Sequence, residues 1–334
     1  MTDTHQRPIQ HIPARDIPVP PTVSREAQAV LSMGPQPVKP WPPLDDRDAV
    51  QAHIDEVVSQ VPEGAEGPMV SSVYGSASTG VSCSTERIDA HGVGVWIATP
   101  EGVPAEDRRV YLALHGAWIY GGGEMARSGA VMTAGAMGVR TWVVDYRMPP
   151  HHPYPAPLDD CVSAYRALLE EHRPEDIIVG GVSGGGNLTV ATLLRARDEG
   201  LPLPAAAVAV TPVLDLTQAS DTQHTNRGVD PALDQDLEGV ITLYSDGHDL
   251  RDPYLSPIFG DFAKGFPPTI LTSGTRDFLL SDTVRLHRAL LAAGVPAELH
   301  VWEAAPHFMF LGAAPEDHER AAQIRTFCER QWTK

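Results

Sequence analysis

Cysteine is scarce in this sequence, and long apolar stretches are absent. Cys83, Cys161 and Cys328 form no C-x-x-C pair, and an odd number of thiols gives no complete disulfide framework. We therefore expect three reduced thiols and a cytoplasmic protein. No stretch approaches the ~20 apolar residues needed to cross a bilayer. The first twenty residues contain no apolar core of the signal-peptide type, so neither a membrane span nor a signal peptide is expected.

Positive charge is also in short supply. The chain has 25 Lys and Arg against 43 Asp and Glu, a net charge of −18, and no basic cluster offsets this balance locally. Such a surface repels phosphate backbones, so nucleic-acid binding is not expected. The 334 residues are 42% hydrophobic and 20% charged, which is typical of a globular protein with one large α/β domain or two ordinary ones.

Proline is abundant, with 31 residues that cluster near the N-terminus. Two short helix-like pieces, 24–33 and 46–61, lie between and after these prolines, and the second begins with an Asp suited to N-capping. We therefore expect 1–65 to be an irregular, partly helical segment. The pattern changes at about residue 69. There MVSSVYGSA and STERIDAHGVGVWIATP have the alternation and glycine break of an antiparallel pair.

Short apolar runs then alternate with helical segments. The predicted strands are VYLAL (110–114), TWVVD (141–145), DIIVG (176–180), AAAVAVT (205–211), TILTSG (269–274) and ELHVWE (298–303). Predicted helices lie between them, at 158–172, 185–200 and 281–294. This alternation predicts an α/β fold with a mostly parallel sheet covered on both faces. The polar stretch 217–250 interrupts it and is predicted to be an insertion above the carboxyl edge of the sheet, where active sites of such folds lie.

One G-x-S-x-G motif occurs in the chain, with Ser183 at its centre. A predicted strand precedes it and a predicted helix follows, which is the context of a sharp turn that exposes a serine nucleophile. The N–H of Gly184 would then face the group that the serine attacks. A phosphate-binding loop is the alternative, but no Lys follows these glycines, and the G-x-G-x-x-G spacing is absent.

A serine hydroxyl needs an imidazole base and an orienting carboxylate. Among the 14 histidines, His307 follows a predicted strand and a short loop, and Asp277 also follows a predicted strand. Asp282 is the rival acid, but it opens a predicted helix and is better explained as a cap or first-turn carboxylate. The order Ser183, Asp277, His307 is that of α/β-hydrolases. The pair His151 and His152 lacks neighbouring ligands, so no metal site is expected.

Several sequence blocks beyond this motif carry a resemblance to a known family. They are VDYRMPPHHPYPAPLDD (144–160), DPYLSPIFGDFAKGFPPTILTSGTRDFLLSD (252–282) and AGVPAELHVWEAAPHFM (293–309). With the serine motif they resemble the bacterial hormone-sensitive-lipase-like (family IV) esterases of the α/β-hydrolase superfamily, over roughly 108–330. The resemblance implies a carboxylic-ester hydrolase without a cofactor, commonly a homodimer. It also implies a cap built from 1–65 and 217–250, with the catalytic domain spanning 66–334.

The chain departs from the family pattern around the serine and in one loop. The usual G-D-S-A-G reads G-V-S-G-G, and Phe308 follows the histidine where the family has Gly. The family motif H-G-G-G is replaced by His115-Gly116-Ala117-Trp118, one residue shorter. The oxyanion would be held by the N–H groups of Gly184 and of one or both of Gly116 and Ala117, with Ala117 as the principal donor. His115 is expected to be a structural residue that hydrogen-bonds backbone, and the glycines 121–123 a flexible turn.

The resulting hypothesis is hydrolysis of small to medium acyl esters or lactones through an acyl-enzyme on Ser183. The polar character of 217–250 argues against a long-chain lipase. Candidates for the pocket wall are Trp118, Tyr120 and Phe308, and beyond these Trp41, Tyr244 and Phe310, although packing in the core or cap is an alternative for each. Amidase or acyltransferase activity with the same triad is a second possibility. A third is a ligand-binding protein without turnover.

Overall fold

The computed structural model describes residues 10–35, 39–59, 80–231, 233, 237–312 and 314–332. Eight strands in this part of the chain form a single sheet of order β1-β2-β4-β3-β5-β6-β7-β8. They are β1 (Cys83–Ala90), β2 (Val93–Pro100), β3 (Val110–Leu114), β4 (Arg140–Asp145), β5 (Ile177–Val182), β6 (Ala206–Val210), β7 (Thr269–Gly274) and β8 (Ala297–Trp302). From β4 to β8 all neighbours pair parallel, whereas β1 and β2 are antiparallel additions.

The described residues also form α-helices before, between and after the strands. They are α1 (Arg25–Leu31), α2 (Arg47–Ser59), α3 (Glu124–Met137), α4 (Ala156–Glu171), α5 (Gly184–Asp198), α6 (Thr222–Thr225), α7 (Glu238–Ser245), α8 (Leu280–Ala292) and α9 (Pro315–Trp332). All six predicted parallel strands and the mostly parallel sheet are confirmed. Asp46 accepts a hydrogen bond from the Ala49 N–H at 3.0 Å, so the predicted N-terminal cap of α2 is also confirmed.

The antiparallel pair in the structure differs from the predicted one in which segments form its strands. Both of its strands, β1 and β2, lie inside the segment STERIDAHGVGVWIATP and its flanks, and they turn at His91 and Gly92. The other predicted member, MVSSVYGSA, lies outside the described residues. Helix α3 was not among the predicted helices, because its sequence EMARSGAVMTAGAM is rich in small residues and follows three glycines.

Helices cover the sheet on both faces, as parallel strands require. On one face α3 and α9 pack on the strands through residues such as Ala130, Ala134 and Phe327. On the other face α4, α5 and α8 bury residues such as Leu158, Leu188 and Leu286. The alternation along each strand explains this division, since Tyr111 and Ala113 of β3 face α3 while Leu112 faces the opposite layer.

The N-terminal helices pack near the carboxyl edge of the sheet. Helix α1 contributes Ala27 and Leu31 to a cluster with Phe310. Helix α2 contributes Ile54 to a cluster with Ile119, in the loop after β3, and Leu243 of α7. No helix in the described ranges is long and apolar enough to cross a membrane.

We predict that Gly180→Ala is destabilising because the strand leading to Ser183 has no room for a methyl group. A Cβ on Gly180 would collide with Tyr111 Oη and lie 2.8 Å from Val208 Cβ. Overpacking of this kind costs about 1–3 kcal/mol of unfolding free energy, measurable by urea denaturation. Tyr111→Phe removes the nearest atom, so the double variant should lose less stability than the sum of the single changes. Additive losses would contradict this account.

Candidate active site

Ser183 lies in the turn between β5 and α5. Its φ of 56° and ψ of −119° place a non-glycine residue in a region that side chains disfavour. The Ser183 N–H donates to the carbonyl of Val210 at 2.9 Å, and the Ser183 carbonyl accepts from Asn187 at 3.1 Å. These bonds hold the turn from both sides. The backbone is therefore strained at the residue that the sequence predicts to be the nucleophile, and the side chain stays free of any role as a helix cap.

The glycines on either side of Ser183 allow the turn to pack directly on the end of β3. A Cβ on Gly181 would lie 2.6 Å from the carbonyl oxygen of Leu114. A Cβ on Gly185 would collide with the same oxygen and lie 2.7 Å from the His115 carbonyl. Since real Cβ atoms do not approach so closely, only glycine fits at either position. The serine turn and the loop after β3 are thus held at a fixed separation by backbone contact.

Asp277 and His307 meet where β7 and β8 end. The His307 Nδ1 lies 3.1 Å from Asp277 Oδ1, and both side chains are fully buried. Asp277 also accepts hydrogen bonds from Ser273 Oγ at 2.6 Å and from the Leu279 N–H at 2.9 Å. With Nδ1 donating to the carboxylate, a neutral imidazole has Nε2 as an acceptor. That Nε2 is buried without a hydrogen-bond partner among the described residues, and His307 and Ser183 line the same cavity.

Asp230, which sequence reasoning missed, connects the loops that carry these two residues. Its fully buried carboxylate accepts from the His307 N–H at 2.8 Å and from the Phe278 N–H at 3.2 Å. It also accepts from the Leu233 N–H at 3.0 Å. Asp230 belongs to the polar stretch 217–250, and its partners are backbone groups 48 and 77 residues away. No sequence motif marks such bonds.

Asp282, the rival acid, lies in the first turn of α8 as predicted, but its carboxylate does not cap that helix. It accepts from the N–H groups of Leu214 at 2.7 Å and Asp215 at 3.0 Å, and from Ser220 Oγ. Burial raises the pKa of Asp282 to about 6. The carboxylate therefore organises the loop after β6, which corrects its interpretation as a cap.

The loop after β3 brings its amides close to Ser183. Ala117 and Trp118 both have positive φ, 67° and 60°, although neither is glycine. A Cβ on Gly116 would lie 3.6 Å from Ser183 Cβ, and a Cβ on Gly184 would lie 3.0 Å from the Ala117 nitrogen. The three residues predicted to donate to an oxyanion thus lie together beside the serine. The same Gly184 Cβ would also lie 3.0 Å from the Trp118 ring, so the Gly in place of the family's usual Ala fits this loop.

His115 holds this loop and is confirmed as a structural residue. Its ring stacks on Tyr146 with centroids 3.9 Å apart, and its Nδ1 lies 3.3 Å from the Gly116 carbonyl. The Tyr146 hydroxyl donates to the His115 carbonyl at 2.9 Å. Burial lowers the pKa of His115 to about 4, so the ring is neutral at physiological pH.

Gly121 and Gly122 pack closely on neighbouring side chains, which differs from the flexible turn expected at 121–123. Gly121 has a φ of 117°, and a Cβ there would lie 2.5 Å from His115 Nδ1. A Cβ on Gly122 would lie 2.8 Å from Asp145 Oδ1, and the Gly123 N–H donates to the same oxygen at 2.9 Å. Close approach to His115 and Asp145 therefore requires glycine here.

A cavity of about 320 Å³ opens above Ser183. Trp118, Tyr120, Phe308 and Trp41 line it, as the sequence suggested. Tyr244 and Phe310 do not: both are fully buried, and Tyr244 stacks on Trp118 with centroids 4.4 Å apart. Phe308 lies against His307, with the two ring centroids 4.6 Å apart. Further lining comes from α2, α3 and residues 233, 237 and 240. No group of three or more potential metal ligands occurs in the described part of the chain.

Comparison with known proteins agrees with this architecture. A family model described as an α/β-hydrolase fold matches residues 111–311. An acetyl-hydrolase of Streptomyces hygroscopicus is 36% identical over 200 residues, which cover 59% of this chain and 67% of the relative. The crystal structure of esterase E25 is 34% identical with a TM-score of 0.84, covering 96% of this chain and 98% of that one.

A second solved structure, an esterase from the bacterial hormone-sensitive lipase family, is 31% identical with a TM-score of 0.75. The match covers 92% of this chain and 99% of that structure. The resemblance seen in the sequence motifs thus extends over nearly the whole fold. The chain belongs to the bacterial hormone-sensitive-lipase-like esterases of the α/β-hydrolase superfamily.

Proposed function

We propose that this serine hydrolase cleaves small to medium acyl esters or lactones, with Ser183 as nucleophile, His307 as general base and Asp277 as the orienting acid. One observation carries the proposal. The buried His307–Asp277 pair leaves an unpartnered imidazole nitrogen in the cavity that Ser183 lines. A base whose far nitrogen is fixed by a carboxylate is the arrangement that activates a serine hydroxyl.

The reaction proceeds in two halves. Ser183 Oγ attacks the carbonyl carbon while His307 Nε2 takes its proton, and the resulting oxyanion accepts hydrogen bonds from the amides of Gly184, Ala117 and Gly116. The C–O bond to the alcohol breaks, and the alcohol oxygen takes the proton from Nε2. Water then attacks the acyl-enzyme with His307 again as base, which releases the acid and restores Ser183.

The same triad supports amide hydrolysis or acyl transfer to an alcohol, and a binding protein without turnover is a further alternative. The proposal favours an ester hydrolase because the comparisons fall among esterases and the base is present. A chromogenic acetate ester distinguishes an enzyme from a binding protein. Product analysis with an added alcohol distinguishes hydrolysis from transfer.

The proposal also covers the domain organisation of the chain and its location in the cell. Residues 1–65 and 217–250 serve as a cap over the catalytic domain 66–334, which is supported by the contact of α2 with α7 and with the loop after β3. Three unpaired thiols, two of them buried, suit the reducing cytoplasm. Assembly as a homodimer rests on family likeness alone.

Asp230 is proposed as a positioning residue. Its carboxylate holds the backbone of His307 and of Phe278, the neighbour of Asp277, so one buried group fixes the separation of base and acid. It contacts no reacting atom, and it acts through the two loops.

We predict that Ser183→Ala lowers kcat/KM for p-nitrophenyl acetate by at least ~1,000-fold, because the nucleophile is lost. Steady-state release of p-nitrophenol measures the effect. The exposed serine at the end of α1 offers a matched control, Ser32→Ala, which should retain full activity. Substantial turnover by the Ser183 variant would reject the assignment.

We predict that Gly184→Ala lowers kcat by about 10- to 100-fold with a smaller change in KM. The added methyl would press on the Ala117 nitrogen and the Trp118 ring, each 3.0 Å away, and would displace an oxyanion donor that acts in the transition state. Kinetics with p-nitrophenyl acetate, together with a thermal unfolding curve to verify folding, measure it. Wild-type kcat would show that Ala117 does not serve as a donor.

We predict that Asp230→Asn lowers kcat by about 10-fold or more, since an amide cannot accept all the hydrogen bonds of the carboxylate. Because the carboxylate positions His307 and the neighbour of Asp277 and contacts no substrate atom, KM should change less than kcat. Asp221→Asn, an exposed residue of the same stretch, is the control and should leave both unchanged. A wild-type kcat in Asp230→Asn would refute the positioning role.

A further inference from the structure

The cavity above Ser183 continues past the oxyanion loop into the layer between the sheet and α3. Its floor there consists of Ala113, Val143 and Val182, on the neighbouring strands β3, β4 and β5. Its roof consists of residues at intervals of four on one face of α3, namely Met125, Gly129 and Thr133. We name this space, bounded by these six residues, the α3 chamber.

The three floor residues lie on one face of the sheet. Ala113 pairs with Val143 in the parallel register of β3 and β4. Val182 faces the same helix layer from β5 and immediately precedes Ser183. The chamber therefore begins beside the nucleophile and extends away from it along α3, beneath the loop that carries Gly116 and Ala117.

Open space at Gly129 distinguishes the chamber from the packed core around it. A Cβ built on Gly129 meets no atom within 4 Å, and its φ is not in the positive range. A Cβ on Gly184, by contrast, would meet the Ala117 nitrogen and the Trp118 ring at 3.0 Å. Gly129 lies inside a helix, where glycine is less favourable than alanine. Its lack of a side chain keeps the chamber open.

We propose that the α3 chamber binds the acyl chain of the ester, an inference that rests on the proposed function of Ser183 and His307. The order of the strands indicates on which side of Ser183 the acyl chain lies. His307 must protonate the leaving alcohol, and it follows β8, on one side of the β5 strand that ends at Ser183. The chamber lies on the opposite side, along β3 and β4. With the alcohol toward His307, the acyl group points into the chamber.

The chemistry of the walls indicates which acyl chains fit. None of the six lining residues is charged, and five of the six have apolar side chains or none. Met125 to Thr133 spans about 12 Å of helix, which accommodates an unbranched chain of about eight carbons. Each methylene group that is buried there should raise kcat/KM about fourfold. The site therefore favours straight saturated acyl chains up to that length.

The experiment compares p-nitrophenyl acetate, butyrate, hexanoate and octanoate with the wild-type enzyme and Gly129→Leu. The leucine side chain fills the chamber, so the ratio of kcat/KM for hexanoate to that for acetate should fall by about 10-fold or more. Gly129→Ala adds only a methyl group and should reduce the ratio for octanoate first. Ser128→Leu, which adds the same side chain to the preceding residue outside the cavity lining, should keep the wild-type ratios.

A second measurement separates the chamber from the catalytic proposal. Calorimetry of p-nitrophenyl hexanoate with Ser183→Ala, with and without Gly129→Leu, reports binding without turnover, and Gly129→Leu should weaken it by about 10-fold. If the wild type cleaves no ester, the proposed function fails while this binding difference still tests the chamber. Unchanged selectivity and binding in Gly129→Leu would overturn the inference. So would a loss confined to a series of alkyl acetates, because the chamber would then hold the alcohol.

Discussion

The contact between two stretches of backbone determines most of this site. The turn at Ser183 lies against the carbonyl oxygens of Leu114 and His115, at separations that Gly181 and Gly185 alone allow. The strained φ of Ser183 persists because this packing and the flanking hydrogen bonds leave the turn no other conformation. Ser183 and the amides of the loop after β3 are therefore positioned by main chain, an arrangement that is organised before any substrate binds.

This contact also explains how a loop one residue shorter than the family pattern can still surround the serine. Ala117 and Trp118 both adopt positive φ, which costs conformational energy that other contacts must offset. Trp118 stacks on Tyr244 of α7, and Tyr146 holds the His115 carbonyl. The stretch 217–250 thus supports the loop after β3 through Tyr244, and the loops that carry Asp277 and His307 through Asp230. Changes in that stretch can therefore alter the positions of these loops.

The features that the sequence predicted depend on local patterns, whereas the features that it missed depend on contacts between distant residues. The strands were predictable because apolar runs are local signals, and strand ends likewise indicated that Asp277 and His307 would lie close together. Asp230 was missed because its partners are backbone amides, which every residue has, brought together only by folding. Asp282 was recognised as a first-turn carboxylate, but its bonds to the loop after β6 were not predictable, since they depend on the packing of α8. The close packing of Gly121 and Gly122 was not predictable for the same reason.

The small residues of helix α3 explain both why the sequence did not predict this helix and why the chamber exists. Its small residues weaken the apolar periodicity by which helices are recognised, and Ala126, Ala130 and Ala134 allow it to pack closely on the sheet. Where Gly129 faces the strands, the same composition leaves space. The packed layer of helix and sheet would then determine which acyl chains fit. The segments above the sheet would determine which alcohols fit. Since connecting segments vary more readily than a packed layer, evolution could change the alcohol specificity while the acyl preference stays constant.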